Sequence, residues 1–215
     1  MDRVGEAFVW PFRDPEWAGK IVVMGLILLI PVVGGINALG WMLAALHRLR
    51  AGEERLPPAN FDYLARGFKL FVVLLVYYLA VTAVAAAAYI PAVLLLADQG
   101  RHASSNPLLV SVGLALSLLA FSVATLGSLL VTFLTSPIVL ATDAGGISGG
   151  LRVGQVLRRA RASLINTLVA GLMLIAASLV AELGTVLCIV GIVFTVAYSY
   201  AMQAWIVRSY ELAST

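Results

Sequence analysis

Few residues in this sequence have both the chemistry and the setting to act on a ligand. Glu182 is the only carboxylate between Asp143 and Glu211. An acid inside an apolar run is by default a proton or cation site, because charge there is costly and persists only when used. Glu182 also falls where a turn is expected at the outer interface, and the span lengths favour that ordinary reading. Asn37 follows Gly34-Gly35 at the start of a short apolar segment. It can face a ligand at a broken-helix end, but capping the helix is the commoner use. Ala120, Ala124, Ser128, Thr132 and Ser136 recur every four residues, and Thr195, Ser199 and Gln203 do the same further on. A seam between these two helices, with Thr132, Ser199 and Gln203, is the place to look for a solute path. Small residues at this spacing more often let helices approach closely.

Enzyme chemistry finds less support. His47 and His102 are isolated, and neither has a partner at metal-ligand spacing. The single cysteine, Cys188, excludes an intrachain disulfide or a cysteine cluster. GGISGG (145–150) superficially suggests a phosphate loop, but it lacks the lysine-plus-hydroxyl ending and reads as a flexible linker. No GxSxG or HExxH occurs, and no nucleophile has a base in reach by any recognisable pattern. The expectation is a non-enzyme without metal or cofactor.

The elements that must position these residues are set by composition. The chain is 61% hydrophobic and 12% charged, with a mean hydropathy of +1.00. Soluble domains have about 45–50% apolar and about 25% charged residues. A water-soluble fold of 215 residues could not hide that much apolar surface, so lipid is its natural solvent. The net charge of +3 sits in loops and does not describe a nucleic-acid surface. Seven charges in residues 1–20, with no small-residue cleavage pattern, lead us to expect that the first apolar segment is retained.

Residues 1–20 are aromatic and amphipathic and read as an interfacial segment, with Asp14-Pro15-Glu16 as a helix start. Residues 21–46 carry no charge. As one helix they would run about 39 Å, too long for a core of about 30 Å unless tilted. Pro31 and Gly34-Gly35 therefore predict two short helices, about 15–33 and 36–50, meeting at a tight turn. Long spans follow at 70–97, bent by Pro91, and at 108–142, which at about 52 Å must tilt or break at Pro137. Two more, 162–181 and 183–207, are joined at Glu182 and Gly184.

Between them, residues 151–163 form an amphipathic helix with Arg152, Arg158, Arg159 and Arg161 on its polar side. Such a helix lies on an anionic leaflet, each arginine contributing about 1 kcal/mol near the surface. If 21–46 is a hairpin, every Lys and Arg except Arg101 falls on one side, which the positive-inside rule makes cytoplasmic, with both termini.

An entry WPFRDPEW (10–17), an apolar run through IPVVG and a basic exit with GEERLPP (52–58) resemble one prokaryotic membrane family, domain of unknown function 4013. FDYLARGFKLFVVLLVYYL (61–79) fits as well, and SPIVLATD (136–143) followed by GLRVGQVLRRARASL (150–164) more loosely. The resemblance implies an α-helical membrane bundle and no known reaction. The fold expected is thus all-α, a polytopic helical membrane bundle of four long spans, a short N-terminal hairpin and a cytoplasmic interfacial helix. The function expected is that of an accessory or structural component of the cytoplasmic membrane, acting through helix packing and a basic cytoplasmic face. The alternative is a small transporter or channel. Expected partners are anionic headgroups and a second copy or another membrane protein, with no nucleic acid.

Overall fold

A computed structural model describes residues 3–101, 106–186 and 188–214; His102 lies outside them. Among the described residues the fold is all-α, with no strand. Two 3-10 turns, Val4–Phe8 and Trp10–Arg13, precede seven helices: α1 Trp17–Leu28, α2 Val33–Arg50, α3 Leu64–Gln99, α4 Pro107–Gly150, α5 Val153–Ala162, α6 Leu164–Val186 and α7 Cys188–Ala213. Two compact units result, one from Met1–Val73 with Thr132–Thr215, the other from Leu74–Val131.

Three helices, α3, α4 and α6, are long and apolar enough to cross a membrane. Their outward faces suit lipid: Phe121 is 72% and Ile165 75% exposed, in a pattern that water would penalise. This points to a multi-pass membrane protein.

The break between α1 and α2 falls at Leu29–Val32, and Gly34-Gly35 lie within the first turn of α2. Pro31, Val32 and Val33 form a γ-turn: the Val33 amide donates to the Pro31 carbonyl at 2.7 Å, and Val32 has φ 65° and ψ −58°. That conformation is strained for a β-branched residue. Glycine has no such penalty but loses more entropy on folding. Val32→Gly is therefore expected to stabilise the protein by about 1 kcal/mol, read as a raised melting midpoint in detergent; a lowered midpoint would contradict the strain. Gly34 has another use, since a Cβ there would strike the Ile27 carbonyl across the turn.

Other glycines also mark close helix crossings. In the first unit, a Cβ on Gly67 of α3 would fall on the Ile36 carbonyl oxygen of α2, and one on Gly40 on the Tyr63 carbonyl. Gly25 of α1 meets the Val193 backbone of α7 in the same way. In the second unit, Gly113 and Gly127 of α4 receive Leu96 and Val81 of α3. With lipid outside there is little hydrophobic drive between helices, so association depends on such close backbone approach.

α4 continues through Pro137 and breaks instead at Gly146, whose φ of 63° and ψ of −156° are non-helical. Proline inside a helix forfeits one hydrogen bond, whereas Gly146 occupies a region nearly closed to other residues. The 145–150 segment is accordingly helical on both sides of one bend, not a loose linker. α6 likewise runs past Glu182 and Gly184 to Val186, so no turn occurs at that pair. Gly184 is buried, and a Cβ there would meet Thr195 and the Gly191 backbone of α7.

Candidate functional site, a charged cap on one end of the helices

The Leu56-Pro57-Pro58 segment has a problem set by its sequence. Prolines carry no N–H, so this stretch cannot pair its carbonyls in a regular ladder. Side chains from several elements satisfy them. Lys20 Nζ and Arg48 Nη1 both donate to the Leu56 carbonyl at 3.1 Å. Trp41 Nε1 donates to Pro57 at 3.1 Å, Tyr63 Oη to Pro58 at 2.9 Å, and Asn37 Nδ2 to Asn60 at 2.7 Å.

Asp14 closes this arrangement. It is 1% exposed. Its Oδ2 accepts from Lys20 Nζ and the Leu56 amide, both at 2.8 Å, and Oδ1 accepts from the Glu16 amide at 3.0 Å. A buried carboxylate is tolerated only when paired and hydrogen-bonded in this way. Burial pushes its pKa up, but the Lys20 ammonium and the two amides outweigh it and hold Asp14 below its ordinary range. Nearby, Arg13 bridges Glu6 at 2.8 Å and Glu54 at 2.5 Å. WPFRDPEW and GEERLPP, forty residues apart in the chain, thus meet as one structure. Because Asp14 precedes α1 and Leu56 follows α2, their contact brings both outer ends of the α1–α2 pair to the same side.

A second cluster ties four helix ends together. Arg50, at the end of α2, pairs with Asp143 at 2.5 Å and Glu211 at 2.9 Å. Arg66 of α3 reaches the other Asp143 oxygen at 3.0 Å, and Arg208 reaches Glu211 at 2.7 Å. Burial raises Asp143 and Glu211, yet hydrogen bonds from the arginines outweigh it and both carboxyls sit below their ordinary range. These groups lie just beyond the apolar runs. The cluster shows that α3 starts where α4 ends, and that α2 and α7 finish at the same level.

The N-terminal segment is held against α7. Trp10 is fully buried, donates Nε1 to the Ala201 carbonyl at 3.2 Å, and stacks on Trp205 with centroids 5.8 Å apart. Trp205 Nε1 donates to Arg3 at 2.9 Å, and Tyr198 donates its hydroxyl to the Phe8 carbonyl. Phe12 meets Trp17 edge-on at 4.7 Å. The aromatic rings therefore fasten the segment to protein, with Phe12 still half-exposed.

The candidate ligand residues singled out from sequence fall on α2, α4, α6 and α7. Asn37 is no helix cap: it lies one turn inside α2, fully buried, and Val32 takes the cap position. Its Nδ2 also faces Met24 Sδ at 3.8 Å, and its Oδ1 is buried without a partner, as is Ser136 Oγ on α4. Glu182 is on the exposed side of α6. Ser199 is buried with its hydroxyl bonded to Val196 of its own helix, while Gln203 is half-buried one turn later. Thr132 is half-buried on α4. Arg152, Arg158, Arg159 and Arg161 are all exposed around α5, whose Val156 and Ala160 are buried; Val153 and Leu164 are exposed.

The carboxylates Asp14 and Asp143, which organise the cap, had only weak signals in the sequence. Asp14 reads as a helix start and Asp143 as a helix end; the Leu56 amide that binds Asp14 and the arginines that bind Asp143 lie far along the chain.

No curated protein and no solved structure matches this chain. A family model does, the one described as "Protein of unknown function (DUF4013)", over residues 23–205. The protein therefore belongs to the DUF4013 family.

Proposed function

We propose that this protein is a non-enzymatic structural or accessory component of the cytoplasmic membrane, acting through helix packing and a basic face on α5. α7 would serve as a fourth span, and the charged cap, with both termini, would lie on the cytoplasmic side. One contrast carries this reading. The charged side chains of the cap are used in pairs that tie helix ends together, whereas the four α5 arginines are exposed toward solvent or headgroups. Fixed charges that pin helices suit a scaffold, and exposed arginines beside apolar helices suit an anionic leaflet.

The expected partners are anionic phospholipid headgroups, and a second copy or another membrane protein against the lipid-facing helices. Protein in vesicles of mixed phosphatidylglycerol and phosphatidylcholine should enrich spin-labelled phosphatidylglycerol at its boundary. Neutralising Arg152, Arg158, Arg159 and Arg161 together should remove most of that enrichment, and unchanged enrichment would refute the basic-face reading. The same vesicles should show no ion or solute leak above protein-free ones. A flux abolished by Gln203→Leu would instead establish a transport path.

A further inference from the structure

The bend at Gly146 leaves a groove of about 240 Å³ between the end of α4 and the first two turns of α5. Ala141, Ala144 and Gly149 form one wall, and Arg152, Gln155 and Arg159 stand at the other. We infer that this groove is a discrete site for a phosphate ester, supplied by the headgroup of an anionic phospholipid; the inference rests on the basic-face reading and sharpens it to one place.

Three features favour phosphate. Arg152 and Arg159 are seven residues apart, so they share a face of α5 about two turns apart, with Gln155 between them. Two guanidinium forks and an amide offer the planar donors that phosphate oxygens accept. The facing wall is of small residues, which leaves room for a phosphate group.

A comparison within the same unit sharpens the choice. A neighbouring groove of about 320 Å³ also has basic residues, Arg66 and Lys69, but Asp143 lines it and already holds Arg66. No carboxylate is among the residues lining the α5 groove. Its surroundings point to lipid as the source. α6 begins directly after α5, and its first turn exposes Leu164 at 57% and Ile165 at 75%. These exposed apolar side chains follow Arg159 by five and six residues, close enough along the chain for the acyl chains of a bound lipid.

The test compares two variants with equal charge loss, R152Q/R159Q in the groove and R158Q/R161Q outside it. Binding of phosphatidylglycerol to the purified full chain in detergent is read by native mass spectrometry. Wild type should retain one phosphatidylglycerol in preference to phosphatidylcholine. R152Q/R159Q should weaken that binding about 30-fold, and R158Q/R161Q should change it less than about threefold. R152K/R159K should keep the preference for phosphatidylglycerol over phosphatidylcholine with weaker binding than wild type, because lysine keeps the charge without the planar fork; this separates loss of charge from loss of fold.

Equal weakening by the two pairs would overturn the groove while leaving a diffuse basic face standing. No weakening by either would overturn both. Equal binding of phosphatidylcholine would overturn the anion preference. Glycerol 3-phosphate supplies the remaining arm: failure to displace the lipid supports a headgroup source, and displacement at similar concentrations supports the phosphate site with a soluble ester as its ligand.

Discussion

Asp14→Ala should cost about 3 kcal/mol of stability, the low end of what breaking a buried ion pair costs. Three donors converge on this carboxylate, the Lys20 ammonium and the amides of Glu16 and Leu56. Removing it leaves Lys20, whose side chain is 16% exposed, with its charge uncompensated, and the Leu56 amide without its acceptor. Unfolding in a mixed-detergent titration reads the loss. Asp14→Ala combined with Lys20→Met should recover part of it, since the stranded charge is then gone. A loss below about 1 kcal/mol, the range of exposed surface pairs, would show that the clamp does little for stability.

The carboxylates of the two clusters set a pH dependence with a definite sign. Asp14, Asp143 and Glu211 all have carboxyl pKa values lowered in the folded protein. A lowered folded pKa means the unfolded chain binds protons first, so the stabilisation is present above the unfolded values, near 4. It is lost as pH falls from there through the folded values. Wild type should therefore lose stability below about pH 5. Asp14→Ala should show a shallower acid dependence, and an identical slope would exclude Asp14 as a contributor.

Gly67→Leu should be at least as damaging, for a steric reason. A Cβ at Gly67 would land on the Ile36 carbonyl oxygen and lie 2.7 Å from the Gly40 amide nitrogen. Both atoms are backbone, so no rotamer change makes room, and α2 and α3 must move apart. Overpacking in interiors typically costs about 1–3 kcal/mol and occasionally more. Here the displaced helices also carry Arg50 and Arg66, whose shared hold on Asp143 depends on their spacing. The expected result is a loss of at least about 3 kcal/mol, with Gly67→Ala intermediate. Gly35→Ala is the control, because nothing lies within 4 Å of a Cβ there. Equal melting points for Gly67→Leu and Gly35→Ala would refute the close crossing.

These sites show which features the chain reveals and which it conceals. The apolar runs, the all-α class and the amphipathic 151–163 stretch are legible because each depends on residues a few positions apart. The family resemblance rests on WPFRDPEW and GEERLPP, but their spacing does not reveal that Asp14 binds the Leu56 amide. Local readings stayed open or went astray where one residue type has two uses. Pro31 and Gly34-Gly35 together look like the break in 21–46; the chain turns at Leu29–Val32, with Pro31 in it, whereas Gly34 serves the close return of α2 on α1. Pro137 offers a break in the 108–142 run as the alternative to tilting; the helix instead continues through it to a bend at Gly146. Glu182 and Gly184 look like a turn, while Gly184 admits α7 against α6.

The sequence by itself determined a helical, lipid-solvated chain, where its apolar segments lie and which stretch is basic and amphipathic. Those properties follow from transfer free energies and helical periodicity, which need no partner. The tertiary structure alone decided that Asp14 and Asp143 become the centres of a charged cap, because the Leu56 amide reaches Asp14 and the α2 and α3 arginines reach Asp143 only once the chain is packed. It also decided that Asn37 holds the Asn60 carbonyl and that Ser199 bonds back to its own helix. The same polar side chain lines a path, caps a helix or pins a loop according to what faces it, and facing is a property of the packed helices.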